Sequence, residues 1–355
     1  MSDHDPTDSS SLPRRDFLRL GSAAAAGLVA RDLVPHFSQP LPPPSNPGTQ
    51  AAMPTRNLGR TGYRPGIFSL GGQAQVEKPN NEALAVSIVE KALDLGVNYV
   101  DTAAAYGGTQ RWSQRYIGQV MRTRRNQVWL SSKTHDRTRD GSLRLLEESL
   151  RLLNTDHLDL WQLHNVMRME QIEQIFAPGG AIEALTQARD QKMVRFLGIT
   201  GHFDPEPLME GIRRFPFDTI LMAINAADRH QYSFAERLLP LAVEKQMGII
   251  GMKIPARSRI LAGWNPPPPD SQAPFERPGG GTPSTAGALT IREAMYYTLS
   301  HPVSTVIIGC DSPAQVEENV QLAQSFTPLS DAQLAEIAAK TEPIKRQALF
   351  FRRWA

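Results

Sequence analysis

The chain has 355 residues, of which 38 are basic and 36 acidic, so its formal net charge is +2. With 41% hydrophobic and 21% charged residues it has an ordinary globular composition, which excludes a wholly disordered or fibrous chain. Cys310 is the single cysteine, which excludes intramolecular disulfides and cysteine-based zinc sites, and the near-neutral charge without a basic, aromatic-rich run predicts no nucleic-acid binding.

Residues 1–30 have the parts of a bacterial export signal. The segment PRRDFLR at 13–19 resembles a twin-arginine signal, although Pro13 replaces the usual Ser or Thr before the arginine pair. The apolar stretch at 20–30 is too short to span a bilayer, which needs about 20 residues, so we expect no stable membrane anchor. The sequence predicts recognition by the twin-arginine export machinery, cleavage after Ala26 or Ala30, and an exported, periplasmic protein. A cytoplasmic amphipathic tail is the alternative.

A Pro-rich linker at 31–52 separates this signal from the body of the chain at 53–345. In the body, short apolar runs typical of buried strands alternate with helical segments. The predicted strands are 66–71, 99–102, 128–133, 157–164, 196–200, 219–225, 248–252 and 305–309. The predicted helices between and after them are 81–95, 112–122, 141–153, 180–191, 205–214, 234–246, 290–301 and 312–324.

Eight β-then-α units predict an α/β fold of the (β/α)8 TIM barrel type. A doubly wound open sheet is the alternative, but it would require a glycine-rich phosphate-binding turn, G-x-G-x-x-G, after its first strand. The sequence there is LGG at 70–72, which lacks that motif. Residues 54–65 predict a hairpin that closes the bottom of the barrel. A long Pro- and Gly-rich loop at 254–288 follows strand seven, a last helix covers 330–341, and a basic and aromatic tail covers 346–355.

Four polar side chains follow three consecutive strands: Asp101 and Tyr106 after the second, Lys133 at the end of the third and His164 at the end of the fourth. The carboxyl ends of barrel strands share one face, so we expect these side chains to meet there. A lysine cation would lower the pKa of a neighbouring tyrosine from about 10, an aspartate would hold the lysine, and a histidine could orient a carbonyl oxygen. The set suits protonation of a carbonyl oxygen after hydride transfer, which requires a nicotinamide cofactor.

These motifs together resemble the aldo-keto reductases. The resemblance is carried by DTAAAYG at 101–107, the lysine ending strand three, QLH at 162–164, LGRTG at 58–62, and IIG with EEN around 307–319. It implies that Tyr106 is the general acid/base, that Lys133 and Asp101 tune it, and that His164 orients the carbonyl. It also implies NADP(H), and NAD(H) as a competitor, bound in extended form across the barrel mouth, and a small carbonyl or sugar substrate.

Cofactor residues are assigned by the same resemblance, with departures from the family pattern. Thr200 takes the place of a Ser-Asn pair beside the nicotinamide carboxamide, and Asn225 takes that of a glutamine. Met252-Lys253 stands where a tyrosine often stacks, and the cations that usually bind the 2′-phosphate are missing at Gly309 and Gln315. The assigned set is Thr200, Asn225, Met252, Lys253, Gly309, Cys310, Gln315, Glu318 and Asn319.

Two other functions remain open at this stage. A nucleotide-binding scaffold without turnover would explain the altered carboxamide and 2′-phosphate positions. A metal-dependent barrel hydrolase or isomerase would need more carboxylates or histidines at strand ends than the sequence has, so we predict no metal. The sequence predicts neither the substrate nor an oligomeric state. The candidate pocket residues are Arg111, Trp112, His202, Arg229 and His230.

Overall fold

The computed structural model describes residues 53–265 and 285–354. The predicted signal peptide at 1–30, the linker at 31–52 and residues 266–284 of the predicted long loop lie outside these ranges. The domain boundaries and export features assigned to them therefore stay predictions.

Eight parallel strands close into a barrel in their sequence order, which confirms the predicted (β/α)8 fold. The sheet closes where β8 pairs with β1, with Ser69 beside Ile307. The doubly wound alternative is wrong, because an open sheet would leave two unpaired edges. The strands are β1 Phe68–Gly71, β2 Tyr99–Asp101, β3 Trp129–Thr134, β4 Leu158–Leu163, β5 Val194–Gly201, β6 Thr219–Ala223, β7 Gly248–Met252 and β8 Thr305–Ile308.

The helices surround the barrel near their predicted positions. They are α1 Glu82–Asp94, α2 Trp112–Arg124, α3 Arg139–Leu152, α4 Met169–Phe176, α5 Ala181–Asp190, α6 Pro205–Arg214, α7 Phe234–Glu244, α8 Ile291–Leu299, α9 Pro313–Gln324, α10 Asp331–Lys340 and α11 Lys345–Ala348. Helix α4 was not predicted from the sequence; it is an extra helix before α5 that buries Ile172 and Ile175. Within residues 53–265 and 285–354, no helix is both long and apolar enough to cross a membrane.

Two apolar layers explain why the strands are almost continuously buried. Side chains alternate across a strand, so each strand faces the barrel interior with one set and the helices with the other. Aromatic and aliphatic side chains fill the interior together. Trp129 stacks on Phe196 at 5.3 Å between ring centroids, and the tilted ring of Tyr63 lies 4.5 Å from that of Trp129. The barrel is therefore a packed core, and chemistry can occur only at its ends.

The N-terminal hairpin closes the bottom of the barrel, as predicted. Thr55 and Gly66 form an antiparallel bridge, and the Leu58 N–H donates to the Tyr63 oxygen at 2.9 Å. Gly59 has φ +54°, and a Cβ there would lie 2.2 Å from the Gly248 nitrogen at the start of β7. Only glycine allows this left-handed turn to pack directly on the strand.

The C-terminal residues pack onto the mouth of the barrel. The side chains of Phe350, Phe351 and Arg352 are buried, so the predicted basic and aromatic tail is part of the folded core at these positions. Arg352 forms a 2.5 Å ion pair with Asp228 after β6, and its guanidinium carbon lies 4.0 Å from the ring centroid of Phe234. The C-terminal segment therefore forms one wall of whatever site the mouth contains.

Candidate active site

A cleft of about 680 Å³ opens at the carboxyl ends of the strands. Tyr106, Lys133 and His164 lie in it, and Phe350 and Phe351 of the C-terminal segment also line it. A groove of about 830 Å³ lies elsewhere, lined by the hairpin and the segment before β8, and contains none of the predicted site residues. The strand-end cleft is therefore the candidate active site.

Asp101 and Lys133 form a buried ion pair, with side chains 3% and 1% exposed. Asp101 pairs in register with Ser131, and Lys133 lies two residues further along β3, so residues 131 and 133 share one face. Lys133 Nζ also donates to the Thr102 oxygen at 2.8 Å, and Asp101 Oδ1 accepts from Ser131 Oγ at 2.6 Å. The lysine is thus fixed beneath the cleft by acceptors on β2.

Tyr106 is presented by a tight turn between β2 and α2. Its hydroxyl lies 3.5 Å from Lys133 Nζ, and the ammonium lies 4.9 Å from the centre of its ring. Gly107 follows with φ +83°, and a Cβ there would lie 2.4 Å from the Trp112 nitrogen. Only glycine fits this turn without a clash, so the backbone requires the glycine that follows Tyr106.

The pKa of Tyr106 is raised well above its usual value of 10.0. Burial is the largest cause, and the carboxylates of Asp101 and Glu77 raise the pKa further, whereas Arg257 lowers it. The pKa is thus raised and not lowered, and Lys133 is not among the charged groups that shift it. At neutral pH Tyr106 is accordingly protonated and can act as a proton donor.

His164 lies next to Tyr106, with ring centroids 5.7 Å apart and ring planes at 80°. Its backbone oxygen accepts from Arg137 Nη2 at 2.7 Å, which fixes the main chain at the end of β4. Burial lowers the pKa of His164 well below 6.5, and the charge of Lys133 lowers it further. A neutral imidazole beside a protonated phenol gives two hydrogen-bond donors for one carbonyl oxygen. The structure thus brings the four predicted catalytic side chains together.

Three of the predicted cofactor residues line the same cleft, namely Thr200, Met252 and Lys253. Thr200 Oγ1 accepts the Asn165 N–H at 2.8 Å, so the threonine is held at the edge of the catalytic group. Arg257 also lines the cleft. It was not predicted from the sequence, although it lies four residues after Lys253 in the predicted long loop. Lys253 and Arg257 both have left-handed backbone angles, φ +64° and +55°.

Asn225 is not among the residues that line the cleft, and its role beside the carboxamide stays a prediction. Its Nδ2 donates to the backbone oxygens of Lys253 at 3.2 Å and Ala348 at 3.4 Å, and its Oδ1 accepts the Ala227 N–H at 2.9 Å. The side chain is 1% exposed and joins the ends of β6 and β7 to the C-terminal segment. Because its amide is engaged by main-chain groups, Asn225 is a structural residue here.

The predicted adenosine-side residues lie outside the cleft, at the end of β8 and on α9. Cys310 and Asn319 are buried and face each other, with Nδ2 donating to Sγ at 3.4 Å. Burial raises the pKa of Cys310 to about 12, so its thiol is unreactive at neutral pH. Gln315 is exposed and its Oε1 accepts the N–H of Asp311 at 2.7 Å. Gly309 comes directly before Cys310. Glu318 comes directly before Asn319 and is exposed.

The candidate pocket residues divide into two groups. Trp112 and His202 line the cleft. The other three do not: Arg111 donates to the Leu145 oxygen at 3.3 Å, and Arg229 and His230 lie in a 3₁₀ turn after β6. A position near a strand end in the sequence therefore does not by itself place a side chain in the cleft.

A (β/α)8 barrel that gathers a tyrosine, a lysine, an aspartate and a histidine at successive strand ends defines a carbonyl-directed oxidoreductase. A model of the Aldo/keto reductase family matches residues 65–277. The chain therefore belongs to the aldo/keto reductase family, and this membership makes it an NAD(P)-dependent oxidoreductase.

Known proteins and solved structures resemble the chain over most of its length. The uncharacterized oxidoreductase YqkF of Bacillus subtilis (strain 168) is 27% identical over 73% of this chain and 86% of its own. The L-galactose dehydrogenase of Arabidopsis thaliana is 26% identical over 82% of this chain and 95% of its own. The structure of aldo-keto reductase AKR11C1 from Bacillus halodurans, in its holo form, superimposes with a TM-score of 0.63 at 25% identity, covering 81% and 96% of the two chains.

Proposed function

We propose that the protein interconverts a carbonyl compound and an alcohol with NADP(H), and that Tyr106 is its general acid/base. The observation that carries the proposal is the convergence of Tyr106, Lys133, Asp101 and His164 at the base of one cleft. The nicotinamide, when bound, supplies or accepts the hydride, and the residues of the chain handle the proton.

In the direction of reduction, the neutral His164 ring donates a hydrogen bond to the substrate carbonyl oxygen and orients it. Tyr106 donates its proton to that oxygen as the carbon receives a hydride, so one hydride and one proton convert the carbonyl to an alcohol. Lys133, 3.5 Å from the phenol oxygen, stabilises the phenolate that remains. Asp101 keeps the lysine charged and in place. Bulk solvent then reprotonates the tyrosine.

The cleft also fits the chemistry of the cofactor. Lys253 and Arg257 place two cations beside the catalytic group, where they can bind phosphate oxygens, and Arg257 can do so with two N–H groups. The Thr200 hydroxyl has its hydrogen free of the Asn165 contact, in which its oxygen accepts. The cationic and hydroxyl groups of the cleft therefore suit a nucleotide, and its aromatic side chains suit a substrate.

The substrate that these walls favour is a small polar carbonyl compound such as a sugar. Trp112, Phe350 and Phe351 offer apolar faces, while Gln73 and Glu77 offer hydrogen-bonding groups in the same cleft. Aromatic faces together with amide and carboxylate groups suit the C–H faces and hydroxyls of a polyol. The name of the Arabidopsis relative, an L-galactose dehydrogenase, also supports a sugar.

The test is turnover by the purified protein. NADPH oxidation is followed with a panel of simple aldehydes, ketones and aldoses, and NADP⁺ reduction with the corresponding alcohols and sugars. Turnover of any member supports the proposal. Tight nucleotide binding with no turnover across the panel would favour the non-catalytic scaffold, and no nucleotide binding would contradict both.

We also propose that the protein is exported to the periplasm by the twin-arginine machinery. The support is the sequence at 13–30 alone, with its arginine pair, the following Phe and Leu, and a short apolar segment. A substrate outside the cytoplasm follows from this proposal.

A further inference from the structure

Asn165, the residue after His164, has a main chain that is held in an unfavourable conformation. Its φ is +54°, in the left-handed region that non-glycine residues seldom adopt. Both of its peptide groups are fixed: its N–H donates to Thr200 Oγ1 at 2.8 Å, and its oxygen accepts from Arg137 Nη2 at 3.1 Å. Such strain persists where the surrounding structure enforces it, which is common at functional sites.

The side-chain amide of Asn165 is only partly satisfied. Its Nδ2 makes a 3.4 Å contact with Met167 Sδ, a weak acceptor, and its buried Oδ1 accepts no hydrogen bond from the described residues. An unsatisfied buried amide oxygen destabilises the folded protein. Asn165 lines the cleft beside His164 and Thr200. Rotation of the side chain toward the cleft would let a hydrogen-bond donor bound there reach Oδ1, which is closed to solvent in the structure, and would satisfy it.

The sequence predicts that the Asn225 side chain binds the nicotinamide carboxamide. In the structure that side chain is hydrogen-bonded to three main-chain groups instead. Thr200 offers a single hydroxyl, which can donate to the carboxamide oxygen while it accepts from the Asn165 N–H. The carboxamide NH₂ group then needs an acceptor next to Thr200. Asn165 Oδ1 has no hydrogen-bond partner among residues 53–265 and 285–354, and Thr200 holds the main chain of the same residue.

We propose that Asn165 binds the nicotinamide carboxamide, with its Oδ1 accepting from the carboxamide NH₂ and Thr200 donating to the carboxamide oxygen. This proposal rests on the proposed function, since it assumes that a nicotinamide occupies the cleft. Asn165 thereby fixes the rotation of the ring next to His164, which determines the face that meets the substrate.

The test compares ligands that differ in the carboxamide. Dissociation constants are measured by calorimetry for NADP⁺, for its 3-acetylpyridine analogue, in which a methyl group replaces the NH₂, and for 2′-phospho-ADP-ribose, which has no nicotinamide. The variants are Asn165→Gly, which removes the side chain and accepts the left-handed backbone, and Asn165→Asp, which keeps the acceptor. Asn154→Gly is the matched control, because Asn154 has φ +51° and is exposed outside the cleft.

We expect the wild type, Asn154→Gly and Asn165→Asp to bind NADP⁺ about five- to tenfold more tightly than the acetylpyridine analogue, as one hydrogen bond allows. Asn165→Gly should bind the two with equal affinity, and its affinity for 2′-phospho-ADP-ribose should be unchanged. The proposal would be overturned if a folded Asn165→Gly still bound NADP⁺ more tightly than the acetylpyridine analogue. It would also be overturned if the wild type bound the two ligands equally. Failure of the wild type to bind any of the three ligands would instead overturn the proposed function.

Discussion

Lys133 lies 3.5 Å from the Tyr106 hydroxyl, but its ammonium group is paired with Asp101. The pairing keeps the lysine charged although burial lowers its pKa. It also weakens the effect of the lysine charge on the pKa of the phenol, because the nearby carboxylate carries the opposite charge. The tyrosine is consequently held as an acid, and the lysine acts mainly on the phenolate that forms when the proton has left.

Replacing Tyr106 with Phe removes the proposed proton donor. We expect kcat for carbonyl reduction to fall about 10²- to 10⁴-fold, while the dissociation constant for NADPH changes little, because the hydroxyl acts on the substrate. Tyr63→Phe is the control, since its hydroxyl donates to the Asn98 oxygen beside the hairpin. Wild-type turnover by Tyr106→Phe on any carbonyl substrate would show that another group donates the proton.

The raised pKa of Tyr106 predicts opposite pH dependences for the two directions of reaction. Reduction needs the protonated phenol, and raising its pKa moves the loss of activity to higher pH, so the rate should be flat between pH 6.5 and 10.0. Oxidation needs the phenolate, so its rate should rise about tenfold per pH unit over the same range. Initial rates in both directions would check this. A reduction rate that falls near pH 7 would point to a different acid.

The placement of the catalytic group was predictable from sequence because it depends on strand order alone. Asp101, Lys133 and His164 end three consecutive parallel strands, and such ends must meet at one face of a closed barrel. The strands themselves are identified by short hydrophobic runs, because a strand buried on both faces has apolar residues throughout. These runs are also visible in a short stretch of sequence.

Contacts between distant segments were not predictable in this way. Asn225 lies two residues after the end of β6, and its partner Ala348 lies 123 residues away along the chain. No local sequence pattern predicts that contact. The same holds for Arg352 of the predicted basic and aromatic tail, which the fold buries against Asp228. The pKa of Tyr106 was misjudged for a related reason, because burial depends on every segment that covers the cleft.

The 2′-phosphate position predicts a modest preference between NADPH and NADH. Gly309 and Gln315 carry no cation, and the exposed Asp311 lies next to them in sequence. We expect dissociation constants within about tenfold of each other, and Gln315→Arg should tighten NADPH about tenfold without changing NADH. A wild-type preference above about a thousandfold, roughly 4 kcal/mol, would reveal another cation at the 2′-phosphate.

Breaking the buried ion pair between Arg352 and Asp228 should destabilise the protein strongly. Arg352→Met leaves the Asp228 carboxylate buried without its cation, which costs about 3–5 kcal/mol of the free energy of unfolding. Lys345→Met is the control, because the pair of Lys345 with Glu342 is exposed and is worth less than about 1 kcal/mol. Urea unfolding of the three proteins would measure both effects, and equal losses in the two variants would contradict the argument.

The arginine pair predicts the export route. Arg14→Lys together with Arg15→Lys should retain the protein in the cytoplasm, because the machinery recognises the paired arginines. Cell fractionation of the wild type and this double variant would show it. A wild-type protein found only in the cytoplasm would refute the export proposal, while the catalytic predictions would stand.

Export by this route also predicts that the protein carries its nucleotide with it. The twin-arginine machinery transports folded proteins, and free nicotinamide nucleotides are scarce outside the cytoplasm, so an enzyme exported unfolded would lack its cofactor. We expect periplasmic protein to contain nucleotide and to couple the oxidation of one substrate to the reduction of another, since a trapped cofactor must be recycled in place. Mass spectrometry of the nucleotide released from each cell fraction measures this directly. Periplasmic protein that is folded but free of nucleotide would refute transport with the cofactor and leave the export signal standing.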